Sequence, residues 1–211
     1  MITVCIFAKP PVAGQVKTRL AAGVGVQQAA ELAAAFLADT WASVRRLPWA
    51  QGVVASTGAL PEALVPGASV WLQGKGPLGA RLERVLCRAL RAAPAAIALG
   101  ADSPALPVAL LEAAREGLMR GESVIGPAED GGFYLLGVTA FPTGLLAGLP
   151  WSAANTCAAT IERMVAQGLT PTVLPPWFDV DDADDLRRLR ALLANEPERA
   201  PHTAAALERM R

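Results

Sequence analysis

Histidine is almost missing from this chain: one in 211 residues, His202, near the C-terminal end. A Ser-His-Asp triad or a His-rich zinc site in the body of the protein is excluded on that count alone. Cysteine is scarce as well, and Cys5, Cys87 and Cys157 are far apart and odd in number. They form neither a disulfide framework nor a metal knuckle, and they point to a reducing compartment. No apolar run reaches the ~18 residues of a membrane span. The start, "MITVCIFAKPP", lacks the basic leader and cleavage site of a secretory signal, so the expected location is cytoplasmic. Net charge is zero, so no global basic field exists to hold nucleic acid or an anionic membrane, and neither is expected as a partner. The oligomeric state is left open by the sequence.

What is present is apolar. Hydrophobic residues make up 53% and charged residues 18%, the balance of a well-buried globular chain. Short apolar runs alternate with segments of helical period. Strands are expected at 2–8, 52–56, 69–73, 95–100, 122–128, 132–138 and 170–175. Helices are expected at 26–47, 77–93, 107–120, 153–168 and 182–195. The pattern predicts one α/β domain over 1–195, three-layered, with a mostly parallel sheet. Residues 196–211 read as a tail that adds a short helix or none. In such sheets ligands bind beyond the carboxyl ends of the strands, so the loops there carry the functional reading.

The first of these is "KPPVAGQVKTRL" (9–20), in which Lys17 and Arg19 add charge near Gly14. It is neither a P-loop nor a dinucleotide fingerprint, and it reads as a phosphate grip or a solvated basic turn. "QGKGPLGARL" (73–82) puts three glycines before a helix start, which suits an anion or a base edge, or only a tight turn. "GADSPALP" (100–107) places Asp102 at a strand end, as a metal-binding carboxylate or the start of an Asx turn. "GPAEDGGFYLLG" (126–137) is a hairpin signal or a loop over a ligand. "WFDVDDADDL" (177–186) is densely acidic. Asp179 and Asp181 alternate onto one side of an extended segment and, with Asp102, would suit Mg²⁺. Asp184 and Asp185 read as helix-start residues, with Asp181 or Asp182 as the cap.

Taken in order, "FAKPPVAGQVKTRL", "QGKGPLGARL", "LGADSPALP", "GPAEDGGFYLLG", "PWS" and "FDVDDADDL" resemble the rSAM/selenodomain-associated transferases of the nucleotide-diphospho-sugar transferase superfamily. More distantly they are similar to the guanylyltransferases for molybdenum cofactor and 2-phospho-L-lactate. The resemblance spans residues 7–186 and implies a Rossmann-like GT-A fold with a nucleotide-linked substrate and a small-molecule acceptor. It implies nucleotide contacts at Ala8, Lys9, Gly14, Lys17 and Arg19, and at Gln73, Gly74, Gly79, Arg81 and Asp102. Lys17, Arg19 and Asp102 are the expected catalytic residues. Glu129, Asp130, Gly131 and Gly132, with Trp151 and Ser152, are expected on the acceptor side. Asp102, Asp179 and Asp181 would take Mg²⁺, with Mn²⁺ as the alternative. Ala101 stands where the family usually has Thr, and "WSAANT" departs from the commoner Trp-Ser-Thr. Two reactions fit this reading. In nucleotidyl transfer an acceptor attacks a nucleoside triphosphate and releases pyrophosphate. In glycosyl transfer the donor is a nucleotide sugar. A binding module without chemistry is the third reading.

Overall fold

The structure, a computed structural model, describes residues 1–210. β1 (Ile2–Ala8) is β-branched and apolar on both faces, and it lies in the middle of the sheet. Around it the described residues form β2 (Ala50–Ser56), β3 (Ser69–Leu72), β4 (Ala96–Gly100), β5 (Ser123–Pro127), β6 (Phe133–Val138) and β7 (Pro171–Val173). Their spatial order is β3-β2-β1-β4-β6-β5-β7. β6 runs antiparallel to β4 and β5, and the remaining pairings are parallel. This is the expected α/β architecture with a mostly parallel mixed sheet.

Alternation along β1 divides the core. Ile2, Val4, Ile6 and Ala8 face a cluster built with Leu37, Trp41 and Val44 of α2 (Val26–Arg45) and Leu110, Leu111, Ala114 and Leu118 of α4 (Val108–Met119). Cys5 faces the opposite layer, where Leu82, Val85, Leu86 and Ala89 of α3 (Leu78–Leu90) pack with Cys157 and Met164 of α5 (Thr156–Ala166). A third cluster gathers Leu20 of α1 (Thr18–Val24), Leu32 and Phe36 of α2, Leu186, Leu189 and Leu193 of α6 (Ala183–Asn195), and Ala206 and Leu207 of α7 (Pro201–Arg209). Phe178 and Val180 are buried in it, so the acidic segment rests on a helical platform.

Three differences from the sequence expectation have local causes. The loop expected over 9–20 turns helical at Thr18, because "TRLAAGV" contains good helix formers; Gly25, at φ 89°, then separates α1 from α2. α5 starts at Thr156 rather than 153, after a turn whose Ser152 adopts φ 60°. Most of the tail is ordered: α7 runs through Arg209, while Arg211 of the expected 196–211 segment lies outside the described residues. One carboxylate anchors α7. Asp39 of α2, 2% exposed, accepts hydrogen bonds from the backbone N–H of His202 (2.9 Å) and Thr203 (2.8 Å) and from the Thr203 hydroxyl (2.6 Å). It thereby satisfies amides that a helix start leaves unpaired.

Asp39→Ala strands these donors in a dry setting, and we expect a loss of about 2–3 kcal/mol in urea unfolding. An unchanged midpoint would show that the anchor contributes nothing.

Candidate functional site

Six of the loops and element ends at the sheet's carboxyl edge converge on one cleft of about 550 Å³. β1 ends there with Phe7, Ala8 and Lys9, and the following loop brings Val16, Lys17, Thr18 and Arg19. β4 ends with Gly100 and the turn after it contributes Ala101 and Asp102, and the segment after β7 contributes Asp179 and Asp181. Because β6 runs backwards, its first residues, Phe133 and Tyr134, share this edge with the other strands' ends. Gln73, Leu78, Arg81 and Leu82 line another wall, and Trp151 and Ser152 complete the rim. The volume falls in the range of small-molecule sites, roughly 300–1,000 Å³.

The centre is an ion-pair network. Lys17 Nζ lies 2.6 Å from Asp102 Oδ1 and 2.9 Å from Asp181 Oδ1, with 6% of its side chain exposed. Arg19 Nη2 lies 2.7 Å from Asp181 Oδ2 and is mostly exposed. Burial alone would lower the Lys17 pKa, but the charges of Asp102 and Asp181 outweigh it and hold the ammonium above its ordinary value. Burial would raise Asp181, yet Lys17 and Arg19 keep it below the usual carboxylate range. Asp179 lacks a cation of its own. Burial pushes it up to about 6, with the charges of Asp102 and Asp181 adding to the effect and the Ser103 hydroxyl, which donates to its Oδ1, opposing it.

Local structure explains the placement. Asp182 caps α6, accepting from the amides of Asp184 (2.9 Å) and Asp185 (3.1 Å), while Asp185 accepts from the amides of Asp181 (2.9 Å) and Asp182 (3.2 Å). That capping box leaves Asp181 free to face the cleft. The Val180 amide donates to the Asp102 carbonyl at 2.9 Å and pins the two acidic loops together. Lys17 and Ser152 are the non-glycine residues with positive φ among those described, at 48° and 60°, and both line the cleft. Such backbone is costly, and it collects where a side chain must be aimed.

Several expected residues lie elsewhere or play another part. Gln73 lines the cleft, but its amide is fully engaged. Nε2 donates to the carbonyls of Ala8 (3.1 Å) and Ala55 (2.8 Å), and Oε1 accepts from Arg81 (2.8 Å). It fixes Arg81 at the wall and has no donor left for a ligand. Gly14, Gly74 and Gly79 are outside the lining, and a Cβ on Gly79 would stand 2.6 Å from the Leu146 carbonyl oxygen. Glu129, Asp130, Gly131 and Gly132 are also outside it. Glu129 is held by Arg188 at 2.5 and 2.9 Å, which keeps its carboxyl below the ordinary value. Asp130 accepts from the Gly132 amide at 2.9 Å in a turn. Gly131, at φ 91°, packs so closely on Ala154 that a Cβ would meet its carbonyl oxygen at 2.1 Å. This loop braces the "WSAANT" turn, which is the packing that requires glycine at 131. The sequence reading missed Ser103, Phe133 and Tyr134. Ser103 was in view between Asp102 and Pro104, but the aromatic pair needed the direction of β6 to be known.

Among the described residues, no group of three His, Cys, Asp or Glu side chains is arranged to hold a metal. The expected set of Asp102, Asp179 and Asp181 is thus no closed cage, because Lys17 stands between Asp102 and Asp181. The donor chemistry fits a more open mode. Within the network three carboxylates meet two cations, with Lys9 and Arg81 elsewhere on the cleft wall, and Oδ2 of Asp102 and of Asp179 accepts no hydrogen bond among the described residues. That suits a hard divalent cation held by one or two carboxylates and completed by substrate phosphates.

The family described as "Uncharacterized protein conserved in bacteria (DUF2064)" matches residues 28–153, more than half of the chain. Among solved structures, a protein of Desulfovibrio desulfuricans G20, provisionally named a nucleotide-diphospho-sugar transferase, is 30% identical. It superposes with a TM-score of 0.90 over 99% of this chain and 94% of that one. The 2-C-methyl-D-erythritol 4-phosphate cytidylyltransferase of Thermus thermophilus is 21% identical, with a TM-score of 0.53 over 90% and 97% of the two chains. A CMP:2-keto-3-deoxy-manno-octonic acid synthetase complexed with CTP is 15% identical, with a TM-score of 0.52 over 92% and 99%. The last two share the fold. Among curated proteins none matches the sequence. Among the described residues no helix is long and apolar enough to cross a membrane.

The burial of Asp179, with the charges of Asp102 and Asp181 beside it, has a pH signature in the metal-free protein. A carboxyl whose pKa rises on folding, from 3.8 to about 6, costs stability above pH 6, and the cost vanishes as pH falls to about 4. Asp179→Asn should therefore raise thermal stability at pH 7.5, by roughly 3 kcal/mol at most, and lose that advantage near pH 4. Calorimetry across that range checks it; a gain independent of pH would contradict the assignment.

Proposed function

The chain belongs to the DUF2064 family, and from its site we propose a nucleotide-dependent transferase that moves a nucleotidyl group from a nucleoside triphosphate to a small acceptor. The observation that carries this reading is the meeting of the basic loop after β1 with the acidic residues after β4 and β7 in one cleft. A triphosphate needs more local positive charge than a sugar nucleotide does, and Lys17 and Arg19 supply it where a cation site adjoins. The resemblance of six ordered motifs to the rSAM/selenodomain-associated transferases, and the name of the 30%-identical relative, support the same class.

In this reading an acceptor oxygen attacks the α-phosphorus. The bond from that phosphorus to the α–β bridging oxygen breaks, and pyrophosphate leaves with the electron pair. A phosphorylated acceptor brings its oxygen already ionised, and a hydroxyl acceptor releases its proton to water. Mg²⁺ or Mn²⁺ held among Asp102, Asp179 and Asp181, together with the phosphates, would neutralise charge on the reacting phosphoryl group. Lys17 binds the β- and γ-phosphates with the charge of Arg19, held on Asp181, beside it, and Arg81, steadied by Gln73, holds the nucleoside end. Phe133 and Trp151, with ring centroids 6.1 Å apart, form an apolar wall for the acceptor beside Ser152. Such a site acts mainly by positioning and electrostatics, which suits a chain almost without histidine. The protein is assigned to the cytoplasm in this reading.

The relative's name favours a second reading, glycosyl transfer from a nucleotide sugar. Labelled pyrophosphate exchange into nucleoside triphosphates separates the two. Exchange that depends on enzyme, Mg²⁺ and acceptor supports nucleotidyl transfer; its absence, with nucleoside diphosphate released from a nucleotide-sugar panel, supports the other. Asp102→Asn should cut either activity by about a hundredfold or more, whereas a binding module would keep its nucleotide affinity. Glu129→Gln should leave turnover unchanged and cost about 1 kcal/mol or less in stability. A large loss of kcat in that variant would instead give Glu129 a part in the reaction.

A further inference from the structure

We propose that Lys17 is a tethered counter-cation, holding the place of the divalent metal between Asp102 and Asp181 until a nucleotide's phosphates draw it away. The inference rests on the nucleotide-transferase reading and adds to it an order of binding. Lys17 bridges both carboxylates, at 2.6 and 2.9 Å, with 6% of its side chain exposed. The ring of Phe36 lies 5.8 Å from the ammonium and lends it further support.

The surroundings suit a cation that leaves and returns. Lys is a compact charge on a flexible four-carbon stem, so Nζ can swing through several ångströms without backbone movement. Asp102 is 54% exposed, so phosphates reach the ion pair from the cleft. Arg19 stays on Asp181 at 2.7 Å and keeps that carboxylate in place when Lys17 departs.

Charge then sets the order. With Lys17 seated, a metal ion arriving alone finds Asp102 and Asp181 already neutralised and an ammonium standing between them, so the oxygens left over hold it weakly. A nucleotide arriving alone meets the three acids while its phosphates lack a free lysine. A metal–nucleotide complex relieves both at once: the metal takes the acidic oxygens, and Lys17 moves to the phosphates. The protein should thus take metal and nucleotide together and neither well by itself.

The test is Mn²⁺ binding, read by electron paramagnetic resonance for Mn²⁺ alone and by water-proton relaxation enhancement for ternary complexes with CTP and with GTP. Wild type should bind Mn²⁺ weakly alone and at least roughly tenfold more tightly with a nucleotide it accepts. Lys17→Met should bind Mn²⁺ alone about tenfold more tightly than wild type and bind the Mn²⁺–nucleotide complex more weakly. Lys17→Arg keeps the charge and should leave Mn²⁺-alone binding as weak as in wild type. Circular dichroism checks that each variant folds; should Lys17→Met fail to fold, wild type still decides, since equal Mn²⁺ affinity with and without nucleotide overturns the proposal. It is also overturned by a folded Lys17→Met that binds Mn²⁺ no better than wild type while wild type forms the ternary complex, and by a Lys17→Arg that tightens Mn²⁺ as much as Lys17→Met does. If wild type takes up Mn²⁺ neither alone nor with any of the four nucleoside triphosphates or UDP-glucose, the transferase reading falls first and this one with it.

Discussion

One buried ammonium joins three distant parts of the chain. Lys17 belongs to the loop after β1, Asp102 to the end of β4 and Asp181 to the segment after β7. The Lys17–Asp181 hydrogen bond spans 164 residues of sequence, and the Val180–Asp102 backbone bond closes the remaining side of the triangle. Removing charge from water is expensive, and the attraction between the partners repays it only where geometry is good. A shielded cation flanked by two carboxylates is therefore a weak device for stability. It is a strong device for keeping opposite charges ready at a chosen point.

The rest of the architecture keeps that point fixed. Phe178 and Val180 sink into the helical platform while Asp179 and Asp181 alternate away from it, so the packing of α6 and α7 against α1 and α2 sets where the acids point. Arg188 lies over the Phe178 ring, 4.0 Å from its centroid, and grips Glu129, binding the β5–β6 turn to the same platform. On the opposite wall Gln73 joins β1, β2 and Arg81 through three hydrogen bonds. Asp39, outside the cleft lining, secures α7 and with it one side of the support.

Much of the frame was legible because its signals are local. Strands buried on both faces read as apolar runs, and Asp182 with Asp185 read as helix-start chemistry. α1 was missed because seven residues between a proline-rich loop and Gly25 carry too little periodicity to stand out. At the site, Lys17, Arg19, Asp102, Asp179 and Asp181 were found from charge and position after strands. The "DGG" turn was ambiguous in sequence, since close packing on Ala154 and approach to a ligand demand the same absent side chain. That Gln73 is used up internally, and that Lys17 is paired with acids, are matters of partners far away in sequence.

The reversed direction of β6 has a consequence for how this scaffold diversifies. The charged half of the cleft hangs on the ends of β1, β4 and β7, whereas the aromatic half comes from the beginning of β6 and the turn before α5. The two halves occupy separate stretches of chain, joined where the Tyr134 hydroxyl donates to the Pro175 carbonyl at 3.0 Å, and among the described residues Phe133, Trp151 and Ser152 make no side-chain hydrogen bond to the ion-pair network. Mutation can reshape the wall at Phe133, Trp151 and Ser152 without disturbing the ion-pair network. The fold thus separates an inherited chemistry from an interchangeable clientele.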